Sequence, residues 1–161
     1  MLFIVYVKCY YLNVCAYVQN RKAHFNYEIL DKYECGIELL GVEVKSVRGG
    51  QMSLEGAFVI IRGSEAFLIN ASVSPYQQAN TPKDYDSMRN RKLLLTKKEI
   101  AELAVTEKNK SLTIIPLALY NKGRKVKIEI ALVKGKKKFD KRETIKKRDT
   151  DREVRREYKG R

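Results

Sequence analysis

Cations dominate the side chains whose type and spacing could do chemistry in this chain. Asn20-Arg21-Lys22 stand together, Arg89, Arg91 and Lys92 fall close in sequence, and Lys122, Arg124, Lys125 and Lys127 crowd the region around Gly123. Such clusters on a small β-rich surface are a common way to follow a phosphate backbone, because each Lys or Arg brought to a phosphate releases a condensed counterion. Glu43-Val44-Lys45-Ser46 sets an acid, a base and a hydroxyl beside glycines, a combination suited to hydrogen bonds with ribose and base edges of folded RNA. Further on, Gly135-Lys136-Lys137-Lys138-Phe139-Asp140-Lys141-Arg142 joins cations for phosphate, an aromatic for stacking and an acid ahead of a helical stretch. Taken singly, each cluster also reads as ordinary solvated surface charge. The overall excess, and Phe139 standing in a solvated segment, favour contact.

Catalytic chemistry has less to draw on. His24 is the only histidine, which rules out a two-histidine metal site and leaves any Cys–His dyad without support; beside strand-like sequence it reads first as a structural residue. Cys9, Cys15 and Cys35 form no C-x-x-C pair and are odd in number, so neither a zinc site nor a disulfide framework is expected, and the thiols read as small hydrophobes. No G-x-x-x-x-G-K-[ST] or G-x-G-x-x-G loop is present. The expectation is a protein that is not an enzyme and needs no cofactor or metal.

The charge of the whole chain points the same way. With 33 Lys+Arg against 19 Asp+Glu the formal charge is +14, and self-repulsion of that size opposes folding, so it argues for a polyanionic partner. Nucleic acid fits better than an anionic membrane. Of this charge, residues 134–161 hold 14 Lys+Arg and 6 Asp+Glu, a net +8. Their apolar side chains are few, chiefly Phe139, Ile145 and Val154, and a segment that cannot bury apolar surface is expected to be disordered until it binds.

The elements that must position these residues are short strands. His24 to Lys32 and Cys35 to Leu40 read as the first two strands, and AFVIIR (57–62) and EAFLIN (65–70) as a hairpin turning on Gly63-Ser64. Ser111 to Tyr120 is expected to meet Lys125 to Val133 across Asn121-Lys122-Gly123, with Val126, Ile128, Ile130 and Leu132 inward and Lys125, Lys127 and Glu129 outward. Thr96-Lys97-Lys98-Glu99 is a capping box ahead of a helix whose apolar face is Ile100, Leu103 and Ala104. A second, short helix is expected over Val42 to Val47, and residues 71–92 as a long polar loop. Five or six strands with helices predict a mainly β, OB-like closed or partly open barrel with a disordered basic C-terminal tail.

The predicted organisation is an apolar extension over 1–19, a barrel over 20–133 and the tail over 134–161. For residues 1–18, an added strand, a start-site artefact or a signal or membrane segment are the alternatives; Lys8 inside the run, and no basic residue ahead of it, rank the last of these second.

In order and spacing, Asn20-Arg21-Lys22-Ala23, Gly36-Ile37-Glu38-Leu39, Gly41-x-Glu43-Val44-Lys45-Ser46-Val47-Arg48, Glu65-Ala66-Phe67-Leu68, Arg91-Lys92-Leu93-Leu94-Leu95, Leu119-Tyr120, Val133-Lys134-Gly135-Lys136-Lys137 and Asp140-Lys141-Arg142 resemble the SsrA-binding protein (small protein B) family over roughly residues 20–148. The resemblance implies an OB-like barrel holding the transfer-RNA-like part of transfer-messenger RNA, with RNA contact at Asn20, Glu34 and Lys127 and at the family-pattern residues Glu43, Lys45 and Ser46. With the clusters read above, the expected RNA-binding set is Asn20, Arg21, Lys22, Glu34, Glu43, Lys45, Ser46, Arg89, Arg91, Lys92 and Lys127. The tail, through Gly135, Lys136, Lys137, Lys138, Phe139, Asp140, Lys141, Arg142, Ile145, Lys146 and Arg148, is implied to enter the empty messenger channel of a stalled ribosome near the small-subunit decoding site and to become helical there.

The resemblance thus implies a cytoplasmic monomer acting in trans-translation, with transfer-messenger RNA and the ribosome as partners and no membrane. A generic OB-fold RNA-binding or ribosome-associated protein is the alternative, and an RNA-processing enzyme a further rival. Two features depart from the family pattern: Phe25 stands where a His is common, with His24 adjacent, and the start is apolar.

Overall fold

The computed structural model of the protein describes residues 16–77, 82, 84–107 and 111–137, and in the tail positions 139, 142, 150, 152, 153 and 156. In chain order the elements are β1 (Ala16–Gln19), α1 (Ala23–Asn26), β2 (Tyr27–Ile37), α2 (Gly41–Arg48), β3 (Met52–Ser53), β4 (Phe58–Arg62), β5 (Glu65–Ile69), β6 (Ser72–Val73), β7 (Arg91–Leu94), α3 (Lys97–Glu107), β8 (Leu112–Lys122) and β9 (Lys125–Gly135). Six strands close an antiparallel ring in the order β8-β4-β5-β7-β2-β9, with β9 returning to β8. The seams are unequal. Long ladders join β2 to β9 and β8 to β9, whereas β4 meets β8 at the pair Val59↔Ile114 and β2 meets β7 at Gly36↔Leu94 and Ile37↔Leu93. The expected mainly β, barrel-like architecture is therefore present, stitched firmly on one side and thinly on the other.

Local chemistry explains the turns. Gly63 and Gly123 both have φ of 64°, which a residue without a Cβ adopts freely, and each sits first in a two-residue hairpin loop. For β4–β5 this is the expected Gly63-Ser64 turn, flanked by the pair Arg62↔Glu65. For β8–β9 the turn is Gly123-Arg124, closed by Lys122↔Lys125, so Asn121 and Lys122 belong to the strand rather than to a three-residue loop. At the start of α3 the Glu99 carboxylate accepts from the Thr96 N–H at 2.8 Å and the Thr96 hydroxyl accepts from the Glu99 N–H at 3.4 Å, the expected capping box. Leu103 is buried beneath that helix.

Several boundaries differ from the sequence expectation. Residues 23–26 form one helical turn, and Tyr27–Ile37 is a single strand rather than two; it stays continuous because β9 pairs with it along nearly its whole length. The expected 71–92 loop begins with β6, which pairs with β3, and ends inside β7. Ala16–Gln19 pairs with β8, so the sheet starts ahead of the boundary expected at residue 20, while residues 1–15 lie outside the described residues. Similarly β9 runs to Gly135, opposite Tyr27, past the boundary expected at 134. No helix among the described residues is long and apolar enough to cross a membrane.

Two apolar clusters hold the ring. The larger includes Cys35, Val47, Leu54, Leu68, Leu93, Leu103, Leu119, Ile128 and Ile130, and each fully buried Leu, Ile or Val side chain contributes roughly 1.5–3 kcal/mol. The smaller joins Ala23, Ile115, Leu117, Ala131 and Val133, with Tyr27 and Ile29 against them. It exists because α1 covers the outside of the ring at that end. Consequently β9 alternates in and out from Val126 to Ile130 as expected, but Ala131, Leu132 and Val133 are all buried. Register irregularities at Ile29/Asp31 and Pro116/Ala118 accompany this change.

Candidate nucleic-acid interface

Strand register brings the candidate residues together. On β2, Lys32, Glu34 and Gly36 share one face by the two-residue period; Glu34 stands opposite Glu129 and Gly36 opposite Lys127 on β9, and Glu129, Lys127 and Lys125 oppose Ala118, Tyr120 and Lys122 on β8. The result is one outward strip across three strands, opposite to the face that carries Cys35, Ile128 and Leu119 into the core. Its cations are Lys32, Lys122, Lys125 and Lys127, and its acids Glu34 and Glu129.

Glu34 is organised within this strip. It accepts from the Lys122 ammonium at 2.8 and 3.1 Å and from the Tyr120 hydroxyl. These two hydrogen bonds, Lys122 first, outweigh its slight desolvation and hold the carboxyl below the usual range. Burial first, and then the bond to Glu34, push the Tyr120 phenol up, so the pair meets a ligand as carboxylate and neutral phenol. The Lys127 ammonium makes no salt bridge among the described residues.

The strip ends in a groove on each side. At one end a cavity of about 390 Å³ has Ile37, Leu39, Val44, Leu94 and Val126 as apolar walls and Arg48, Arg124, Lys125 and Lys127 as a cationic rim. Leu94 is 58% exposed there. It can lie across β2 because Gly36 has no Cβ; one added at that position would meet the Leu94 side chain at 3.2 Å. At the other end Gln19, Asn20, Arg21, His24, Lys32, Leu117, Ala118 and Glu129 line a groove of about 460 Å³. Lys32 is held 3.4 Å from Glu129. An apolar wall with cations at its edge offers a base an apolar contact and its phosphate a partner.

The structure redistributes the sequence-predicted residues. Asn20, Arg21, Glu34 and Lys127 lie on the strip or in its grooves, although the Asn20 amide also donates to the Leu54 and Pro116 carbonyls at 3.3 and 3.2 Å and so braces the turn before α1. Lys22 is exposed but paired with Glu55. Lys45 is exposed on α2.

Glu43, Ser46 and Arg91, by contrast, are fully buried and cannot touch an RNA in this fold. Glu43 accepts from the Leu40 N–H at 2.9 Å, capping α2, and receives Arg89 at 2.6 Å and Arg91 at 2.8 Å. Arg91 spends its remaining donors on the carbonyls of Ala71, Ser87 and Arg89. Ser46 donates to the Val42 carbonyl one turn back. Lys92 is paired with Glu65. The expected basic site at Arg89, Arg91 and Lys92 is therefore largely neutralised by acids of its own fold: Arg89 and Arg91 tie residues 87–91 to α2, and Lys92 ties β7 to β5.

Lys32, His24 and the rim residues Arg48 and Arg124 were not in the predicted set. Arg124 belongs to the basic cluster around Gly123 and His24 stands close to Asn20 along the chain; Lys32 joins them only through the pairing of β2 with β9, and Arg48 through the placing of α2. Gly135 belongs to β9 rather than to a free tail, whereas Lys138, Asp140, Lys141, Ile145, Lys146 and Arg148 lie outside the described residues. Positions 139, 142, 150, 152, 153 and 156 are helical, and Phe139 is 67% exposed. Among the described residues no group of His, Cys, Asp and Glu could hold a metal ion. Burial pushes the Cys35 thiol up to about 12, and it donates to the Ile128 carbonyl at 3.6 Å, as suits a small core residue rather than a nucleophile.

Comparison with known proteins places the chain in a family. The family model described as SmpB protein matches residues 17–160. The chain belongs to the SmpB protein family. The SsrA-binding protein of Mesoplasma florum is 54% identical over 140 residues, covering 87% of this chain and 94% of that protein, and the one from Thermosynechococcus vestitus is 47% identical over 143 residues, covering 89% and 94%. A solved chain described as "tmRNA-SmpB: a journey to the center of the bacterial ribosome" is 39% identical, with a TM-score of 0.64 over 75% of this chain and 85% of that one. The family match begins at residue 17 and so takes in most of β1.

Proposed function

We propose that this protein binds the transfer-RNA-like region of transfer-messenger RNA and delivers it to stalled ribosomes for trans-translation, with its tail in the empty messenger channel. The observation that carries the reading is the strip on β2, β8 and β9: an organised carboxylate at Glu34, a Lys127 ammonium with no salt bridge among the described residues and a groove at each end, in a chain whose relatives are SsrA-binding proteins. Asn20, Arg21, Glu34, Lys32 and Lys127 contact the RNA; Lys22 and Lys45 add to the surrounding field. The protein acts as a cytoplasmic, monomeric adaptor with no reaction of its own. Phe139, Asp140, Lys141 and Arg142, with Lys137, Lys138, Ile145, Lys146 and Arg148, serve the ribosome.

Recovering the RNA that co-purifies with the protein tests this directly. One abundant species with a transfer-RNA-like end and an open reading frame is expected; a broad mixture, or equal competition by ordinary transfer RNA, would favour a generic RNA-binding protein.

Lys127→Ala and Glu34→Ala are each expected to weaken RNA binding by about 1.5–3 kcal/mol, the worth of one charge-assisted hydrogen bond, while leaving thermal unfolding little changed, because both side chains are on the outer face. Unaltered affinity of both variants in a filter-binding titration would move the interface elsewhere. Affinity should also fall on the order of tenfold or more between roughly 50 and 200 mM salt if several phosphates are neutralised. A flat salt profile would mean that the lysines of the strip are solvated charge only.

A further inference from the structure

We propose that Lys136 is a positioning residue: it latches the root of the basic tail to α1, so that the same turn that carries Asn20, Arg21 and Lys22 sets the direction in which the tail leaves the ring. The inference deepens the reading above and rests on it for the tail's task on the ribosome. The latch itself is a property of the free protein.

A one-turn helix leaves its last carbonyls without intrahelical partners. In α1 two of these are taken by one residue: the Lys136 N–H donates to the Asn26 carbonyl and the Lys136 ammonium to the His24 carbonyl, each at 3.0 Å. Lys136 can reach both because it follows Gly135, the last residue of β9, which pairs with Tyr27, the first residue after α1. The main-chain bond fixes where the tail begins, and the side-chain bond fixes its rotation about that point. Lys136 is half-buried in this position, while its neighbours Lys134 and Lys137 are exposed. A cation serving only to meet phosphate has no need to spend its ammonium on the carbonyl of its own fold.

The other end of α1 is equally well tied. Asn20 N–H donates to the Leu117 carbonyl at 2.8 Å, Asn26 N–H to the Lys22 carbonyl at 2.9 Å, and Ala23 is buried in the smaller apolar cluster. A continuous set of bonds thus runs from β8, through the Asn20–Lys22 contact cluster and α1, to the first residue of the tail. RNA seated against Asn20 and Arg21 and the heading of the tail are referred to one rigid turn. Gly135 then supplies the end of the strand and Lys136 the angle.

The test compares full-length Lys136→Met, which keeps the aliphatic stem and loses the donor, with Lys136→Arg, which keeps a cationic donor, and with Lys134→Met, which removes the same charge two residues earlier. Spin labels at Arg62→Cys and Arg142→Cys, in a Cys9→Ser, Cys15→Ser background, report the ring-to-tail distance in the free protein. The distance distribution is expected to broaden in Lys136→Met and to stay near wild type in the other two. In unlabelled chains, tagging on stalled ribosomes should fall roughly threefold to tenfold in Lys136→Met, the population shift that loss of one such bond allows, with RNA affinity little changed and with recovery in Lys136→Arg. An unchanged distribution in Lys136→Met overturns the latch. A broadened one with full tagging, or an equal tagging loss in Lys134→Met, overturns its positioning role. Wild-type protein that itself fails to tag counts against the functional reading, whatever the distances show.

Discussion

Removing residues 137–161 is expected to abolish tagging on stalled ribosomes while leaving binding of transfer-messenger RNA nearly intact. The cut follows the structure. β9 ends at Gly135 and Lys136 is bonded to α1, so truncation at 134 would remove paired strand and the latch together and confuse two effects. Everything needed to close the ring lies before it, including both apolar clusters. The segment removed is strongly basic and poor in core-forming side chains, so its loss should not unfold the rest.

A narrower form changes Asp140, Lys141 and Arg142 together to alanine. Net charge then falls by only one, so a tail acting through charge alone keeps most of its activity. A tail that docks specifically fails, because Asp140 would favour a helix start and the two cations would meet phosphates at fixed places. Tagging assays alongside RNA titrations separate the cases: wild-type tagging by the triple variant would remove the decoding-site role proposed for this segment.

Glu43→Ala is expected to cost roughly 3–5 kcal/mol of stability, the usual penalty for leaving a buried ion-pair partner uncompensated. Here the partner is Arg91, fully buried with Glu43 as its one acid among the described residues, and the same carboxylate caps α2 at Leu40 and receives Arg89. Against a total of about 5–15 kcal/mol for a typical domain, that is a large fraction, and a urea titration should show it as a much lower midpoint. Glu43→Gln keeps an acceptor for Leu40 and should fall between. RNA affinity measured per folded molecule should not change, in contrast to Glu34→Ala. A loss of less than about 1 kcal/mol in Glu43→Ala would show that Arg91 finds another partner or water.

The pH dependence has a definite sign. Desolvation pushes the Glu43 carboxyl up, but hydrogen bonds from Arg89, from the Leu40 N–H and from Arg91 more than offset it, and the folded-state value lies below the ordinary one. A carboxyl depressed in the folded state adds stability that is present above its unfolded value of about 4.3 and is lost as pH falls through the folded one. Wild type should therefore lose stability in acid more steeply than Glu43→Gln, which has no carboxyl to protonate at that site.

Local patterns were decisive wherever the cause is local. Gly63-Ser64 between two apolar runs, the Thr96–Glu99 capping box and the alternation from Val126 to Ile130 each depend on residues close in sequence, and all three are present in the fold. The excess of cations and the family motifs likewise needed no coordinates. What the sequence could not separate was two kinds of charged residue. Glu34 and Glu43 look alike in the chain, yet one is on the outer strip and the other is sealed between Arg89 and Arg91. The difference lies in partners far away along the chain, 88 residues for Glu34 and Lys122 and 48 for Glu43 and Arg91, and no local periodicity encodes such distant pairing. For the same reason Arg91 looked like a phosphate ligand and proved to be a core residue, while Lys32 joined the outer strip only when β9 paired with β2. The amino-acid sequence determined the excess of cations and the family pattern; the closing of the ring decided which of those charges remain on its outer face, because neutralisation and burial depend on what folds against each side chain.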